Sequence, residues 1–328
     1  MRVALLLLGY AAILGVLGPA VLGRAAWLSR APRLGIFAWQ ALTVTVMVSV
    51  ALAGLAVAVP TVPVSGNLAE MLQACVMALR AQYAAPGGAA IAASGTVLAL
   101  TVLGRIGWCL GAAVLHARQE RTRHAAVLAM VGSHRPELGV TVLDDDRPAA
   151  YCLPGHGHRI VLTTAALAAL EQPALDAVIA HERAHIRQRH HLVLAYAEAL
   201  ERAFPRVALF RAAAGETRRL VELAADDEAT ARSGALTLAG ALVELAGAGT
   251  PAASLAASGG YVAGRVRRLL GPQRPLHRAA VWAGMLAAGA VLALPLVLAA
   301  EPAVAATSMN ACPLPAAQAA QAAPVSGG

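Results

Sequence analysis

Four stretches of this chain are apolar over the length that a helix needs to cross a bilayer, and they rule out folding as an ordinary water-soluble domain. They run from about Val3 to Leu22, Gly35 to Val59, Ile91 to Leu115 and Ala279 to Ala300, each close to the roughly 20 residues that span the hydrocarbon core. The rest of the chain cannot offset them. It is 58% hydrophobic and 13% charged with a mean hydropathy of +0.63, too little polar material to coat a globule of this length. Ala, Leu, Val and Gly dominate and aromatics make up 4%, which suits close helix packing in lipid. The fold class expected is a mainly α membrane protein with about four transmembrane helices.

Two features qualify the spans. Met1-Arg2 before an apolar run also opens a secretory signal, but the run is long for one. No small-x-small cleavage site follows, and Arg24, Arg30 and Arg33 lie just beyond, so a retained helix is expected. The third span contains Arg105, which must snorkel, pair or face the bundle interior.

Short cytoplasmic loops collect Arg, so the loop after the first span is expected inside. The multi-pass threading then puts residues 60–90 outside, residues 116–278 in the cytoplasm and residues 301–328 outside. Arg118, Arg121 and Arg123 on the inner side, and a tail without Lys or Arg, agree with it. Four regions result: a three-helix membrane region over 1–115 with its outer loop 60–90, a cytoplasmic α+β domain over 116–278, a fourth span over 279–300 and a flexible outer tail over 301–328. Cys75 and Cys312 fall in the two outer segments, where a disulfide or two separate thiols are equally expected. The net charge of +8 reads as topology and contact with membrane lipid; no nucleic-acid signature accompanies it.

Within 116–278 the pattern turns amphipathic. Gly139 to Leu143 alternates and Ile160 to Thr164 is β-branched, which predicts strands. An edge strand there suits an extended peptide. His156 and His158 sit in the turn before the second strand, where a solvent-facing position is expected and contact with substrate is the alternative. From Pro173 to about Arg202 no Gly or Pro interrupts the chain, which predicts one long helix. On it His181 and His185, one turn apart, share a face and could bind one zinc ion, with Glu182 beside them as general base. Such an HExxH pattern arises by chance in roughly 1% of sequences with these residue frequencies. A helix merely rich in His, with His190 and His191 adjoining, is the bland alternative. Catalytic zinc needs a third protein ligand. Glu222 supplies a candidate on a second helical stretch, with Asp226 one turn on to support a ligating His; a solvated acidic face with Asp227 and Glu228 is the competing reading.

These helices followed by HERAH and then Glu222-Leu-Ala-Ala-Asp226 resemble the gluzincin membrane peptidases. The closest likeness is to the M56 family typified by the BlaR1 and MecR1 antibiotic-sensor proteases; the M48 peptidases share both motifs. The resemblance implies a Zn2+ cofactor on His181, His185 and Glu222, catalytic Glu182, and supporting Asp226. It implies a zinc metalloendopeptidase acting on a cytoplasmic or membrane-proximal protein, such as a transcriptional repressor in a signalling pathway. Residues 301–328 carry no Ser-x-x-Lys, so the penicillin-binding sensor domain of those receptors is not expected. Arg265, Arg267 and Arg268 precede the fourth span, and inner-face membrane anchors are expected there; an oxyanion contact is the alternative. The competing functions are a non-catalytic zinc-containing sensor or scaffold, which has no use for Glu182, and an M48-like housekeeping protease. A transporter would need inverted repeats that the sequence lacks.

Overall fold

The computed structural model describes residues 1–58, 86–153, 159–248, 252–272 and 275–310, with isolated residues between 73 and 84. Cys75, Cys312, His156 and His158 lie outside the described residues. Among the described residues, four helices are long and apolar enough to cross a membrane: Arg2–Gly23, Pro32–Ala58, Gly88–Val131 and Arg278–Ala300. We label the first three α1, α2 and α3; the fourth belongs to a helix that continues to Asn310, past the expected end of the span. Much of their apolar surface faces outward, including Leu5, Val16, Leu100, Trp108 and Leu286, which water would penalise and lipid would not. The third helix also runs past Leu115 for four more turns to Val131, because 116–131 contains no Gly or Pro to stop it.

Two compact units divide the chain. In the unit of Met1–Ala11, Met47–Val102 and Ala293–Gly328, Ala4 and Leu7 pack with Ala53 and Leu298. Gly54 and Gly95 bring α2 and α3 to backbone contact: a Cβ on Gly54 would lie 2.7 Å from the Gly95 carbonyl oxygen. Small residues permit such approach between helices in lipid.

The unit of Ala12–Val46 and Leu103–Leu292 holds a four-stranded sheet. Its strands are β1 (Gly132–Arg135), β2 (Val140–Leu143), β3 (Ala150–Leu153) and β4 (Arg159–Thr163), ordered β1-β2-β4-β3. The β1–β2 turn closes on Gly139 at φ +66°, a left-handed position that glycine adopts without strain. β2 and β4 run parallel, and β3 lies antiparallel to β4 at the edge. After β4, Thr163 caps α4 (Thr164–Ala169) through the Ala166 N–H.

Next come α5 (Gln172–Arg187), α6 (His190–Ala203), α7 (Ala208–Ser233), α8 (Ala235–Ala248), α9 (Ala252–Leu270) and α10 (Arg278–Asn310). Val140, Val142, Ile160 and Leu162 on the sheet bury against Leu175, Val178 and Ile179 of α5. Each such side chain removed from water contributes roughly 1.5–3 kcal/mol, which fixes α5 to the sheet. The opposite flank of α5 packs Ala177 and Ala180 with Ala229 of α7, Leu238 of α8 and Leu269 of α9.

The single helix expected over 173–202 is instead two. Gln188 ends the first, and Arg189 takes a left-handed conformation at φ 51°, ψ 39° before α6 begins. No glycine marks the break, which is why the sequence hides it. Arg105 meets its requirement by pairing: its Nε donates to the carbonyl of Ala203, at the end of α6, where helix carbonyls lack intrahelical partners.

Candidate metal centre

Because α5 is pinned between the sheet and α7, the HERAH turn is presented at a cleft of about 400 Å³. Cys152, Glu182, His185, Glu222 and Arg265 are among its walls. His181 and His185 point their Nε2 atoms at one another, 3.1 Å apart. Glu222, carried on α7, faces both, with Oε2 at 3.5 Å from His181 Nε2 and Oε1 at 3.6 Å from His185 Nε2. A tetrahedral ion with arms of about 2.05 Å separates its ligand atoms by about 3.3 Å. The carboxylate offers a different oxygen to each histidine, and all of these spacings lie near that value, so the donor set fits zinc, and these three residues form the metal-competent group among the described residues.

The other ring nitrogen of each histidine also has a close neighbour. His181 Nδ1 lies 3.1 Å from Asp226 Oδ1, the placement expected of a carboxylate that orients a ligating imidazole. Asp226 is itself fully buried and clamped by Arg265, whose Nε donates to Oδ2 at 2.9 Å and Nη2 to Oδ1 at 2.5 Å. The third guanidinium nitrogen of Arg265 reaches Glu222 Oε2 at 3.1 Å. Arg265 was expected at the membrane face, and that expectation fails. It is 8% exposed and belongs to the site. Arg268 likewise turns inward, bonding Asp227 and the Ser29 carbonyl.

His190 was a bystander in the sequence. The break at Gln188 and Arg189 folds it back, so that its Nδ1 sits 3.0 Å from His185 Nδ1 and its Nε2 3.1 Å from Gln188 Oε1. Of the acidic run 226–228, Asp226 and Glu228 are not part of a solvated face, while Asp227 is exposed. Glu228 pairs with Arg33, Arg187 and Gln188.

The electrostatics follow the geometry. Burial pulls the His181 imidazole down, but its contacts with Asp226 and Glu222 outweigh that and hold it at about 9. Burial and then the neighbouring His181 push His185 down to about 4. Burial and then His185 push His190 to about 3. For Asp226 burial acts upward, yet the hydrogen bonds from Arg265 and His181 hold it at about 2. Glu222 is likewise held below the usual carboxylate range, because the His181 contact outweighs its burial. Glu182 is raised, chiefly by burial, the direction that makes a carboxylate a better proton acceptor. Burial, and then the charge of Glu182, push the Cys152 thiol to about 12.

Cys152 and Tyr151 bring β3, the edge strand, to the rim of the cleft. The structure therefore draws His181, Glu182, His185, Glu222 and Asp226 to one place. It adds Arg265, His190, Gln188 and Cys152, whose involvement depends on contacts that sequence spacing does not encode.

Residues 116–254 match the family model described as Peptidase family M48. No curated protein and no solved structure matches the chain. The matched segment supports assignment as a membrane-associated metallopeptidase, and M48 peptidases are zinc metalloproteases. The expectation of the M56 family in particular does not find its match there.

Proposed function

We propose that this chain is a membrane-embedded, zinc-dependent endopeptidase of the HExxH and ExxxD type. The observation that carries the reading is the convergence of His181, His185 and Glu222 at tetrahedral spacing beside Glu182. His181, His185 and Glu222 would hold the ion, and Zn2+ there would supply Lewis-acid polarisation of the scissile carbonyl and lower the pKa of the attacking water. Glu182 takes the water proton and hands it to the departing amine. The unpaired edge of β3 accepts the substrate as an added strand, which lays its backbone along the cleft. Asp226 and Arg265 keep His181 and Glu222 oriented. Cys152 lines the same cleft as Glu182.

The substrate proposed is a cytoplasmic or membrane-proximal protein, with the catalytic domain on the cytoplasmic side. Two readings divide at that point. The placing of the metal residues between the third and fourth apolar helices favours an M56-like role, cleavage of one regulatory protein such as a transcriptional repressor. The M48 match over 116–254 favours a housekeeping protease acting on many membrane proteins. Full-length protein purified with zinc, in wild-type and Glu182→Gln forms, tests the shared core on an unfolded protein substrate. The variant is expected to lose cleavage by at least 100-fold; undiminished cleavage would remove Glu182 from the mechanism, and no cleavage by either form, with equal output in cells, would leave a non-catalytic scaffold. Comparing the proteomes of cells carrying each form then separates the two roles by the number of proteins that accumulate.

A further inference from the structure

Behind His185 runs a line of side chains for which peptide hydrolysis as described has no use. His190, 2% exposed, meets His185 Nδ1 with its own Nδ1 and meets Gln188 Oε1 with Nε2. Gln188 is gripped from two sides. Its Oε1 accepts from Arg33 Nε at 3.2 Å, and its Nε2 donates to Glu228 Oε2. Arg33 Nη2 also donates to Glu228 Oε2 at 3.2 Å.

The donor and acceptor chemistry of this line permits one polarity. Guanidinium can only donate and carboxylate can only accept, so Arg33 and Glu228 fix which end of the Gln188 amide is oxygen. An amide oxygen can only accept, so His190 carries its proton on Nε2. A neutral ring with Nε2–H has its lone pair on Nδ1, and His185 must then donate from Nδ1. That leaves the lone pair of His185 on Nε2, the atom facing His181 and Glu222.

We infer that Gln188 and His190 are positioning residues that lock the metal ligand His185 in its Nε2-binding tautomer. The polarity of the line is set by Arg33 at the start of apolar helix α2. The inference rests on the zinc reading given above. It places one end of a candidate membrane span in hydrogen-bonded continuity with a metal ligand.

Zinc affinity of the full-length protein in detergent, measured by competition with a chelating dye, tests it, together with the visible spectrum of the Co2+-substituted protein. His190→Leu removes the acceptor and is expected to weaken zinc about 10- to 100-fold, the usual effect of losing a ligand's hydrogen-bond partner. His190→Asn places an oxygen where Nδ1 was and is expected to stay within about 3-fold of wild type, with the Co2+ spectrum unchanged, whereas His190→Leu shifts it. Arg33 is largely exposed, so Arg33→Gln is expected to cost only about 2- to 5-fold, and nothing further when added to His190→Leu.

Wild-type affinity in His190→Leu overturns the inference, as does an Asn variant that falls as far as the Leu one. An Arg33→Gln loss that persists undiminished beside His190→Leu removes Arg33 from the line. A wild-type protein that takes up no stoichiometric zinc overturns the metallopeptidase reading itself, whereas one zinc bound equally by wild type and His190→Leu overturns only the positioning line.

Discussion

Replacing Arg265 by Met tests the part of the site that burial makes most costly to disturb. Asp226 has no solvent exposure, and its carboxylate has two kinds of charged partner: the Arg265 fork at 2.9 and 2.5 Å, and His181 Nδ1 at 3.1 Å. Removing one member of a buried ion pair leaves the other charge uncompensated, at about 3–5 kcal/mol. Proton linkage gives a figure of the same order. Holding Asp226 at about 2 in place of 3.8 corresponds to about 2 kcal/mol. The sign follows from a depressed folded value: the stabilisation is fully present above pH 3.8 and is lost as pH falls through about 2. Arg265→Met should therefore lower the melting temperature of the chelator-treated protein by about 5–15 °C at pH 7, and by much less below pH 2. The assay is near-ultraviolet circular dichroism of full-length protein in detergent, with both forms metal-free so that zinc affinity does not enter. Adding Asp226→Asn to Arg265→Met should cost less than the two single changes together, since the orphaned charge is gone. A shift under about 2 °C at pH 7, or strict additivity, would refute the claim that Arg265 neutralises Asp226.

Chelation of wild-type protein should abolish cleavage, with recovery on adding zinc. At a thousandfold excess over the dissociation constant, the ion should raise stability by about 4 kcal/mol, read as a higher melting temperature. Gly54→Leu should separate α2 from α3, because its side chain would be driven into the Gly95 backbone; a loss of about 1–3 kcal/mol is expected, visible in thermal melts in detergent. Arg189→Gly should stabilise the protein by up to about 1 kcal/mol, because a left-handed residue is relieved of its Cβ. Destabilisation there would mean that the Arg189 side chain, and not the backbone turn, is what the position requires.

The legible parts of this molecule were those governed by short spacing. An i, i+4 pair on one helix places His181 and His185 together wherever that helix lies, and the same rule aligns Glu222 with Asp226. Apolar length alone picks out the four candidate spans. What stayed hidden depends on contacts between distant segments. Arg265 is 39 residues from Asp226, and its fork is recognisable only once α9 returns against α7. The break after α5 was hidden for a different reason. Arg189 is a non-glycine residue in a left-handed turn, so the usual glycine signal for a helix end is missing, and the strain is borne by the packing of His190 into the site. Basic residues beside a span are ordinarily membrane anchors, which is why Arg265 and Arg33 read as topology before their partners were visible.

These hidden contacts give the two ligating histidines unlike supports. His181 is backed by a carboxylate that a buried arginine neutralises, all on α5, α7 and α9. Every member is buried or nearly so, and changing any one leaves a charge stranded. His185 is backed by a neutral imidazole, then an amide, then an exposed arginine at the start of an apolar helix. Each link there is a single hydrogen bond between groups of modest desolvation cost, and its outer end is open to solvent and to whatever surrounds α2. The strong support therefore fixes where a metal ion would sit, while the weaker one is the part of the His181, His185 and Glu222 group that a change at the end of the helix can reach. A peptidase with Glu182 poised in the same cleft gains from that division, since small changes in the orientation of His185 alter the reacting geometry without unfolding the site.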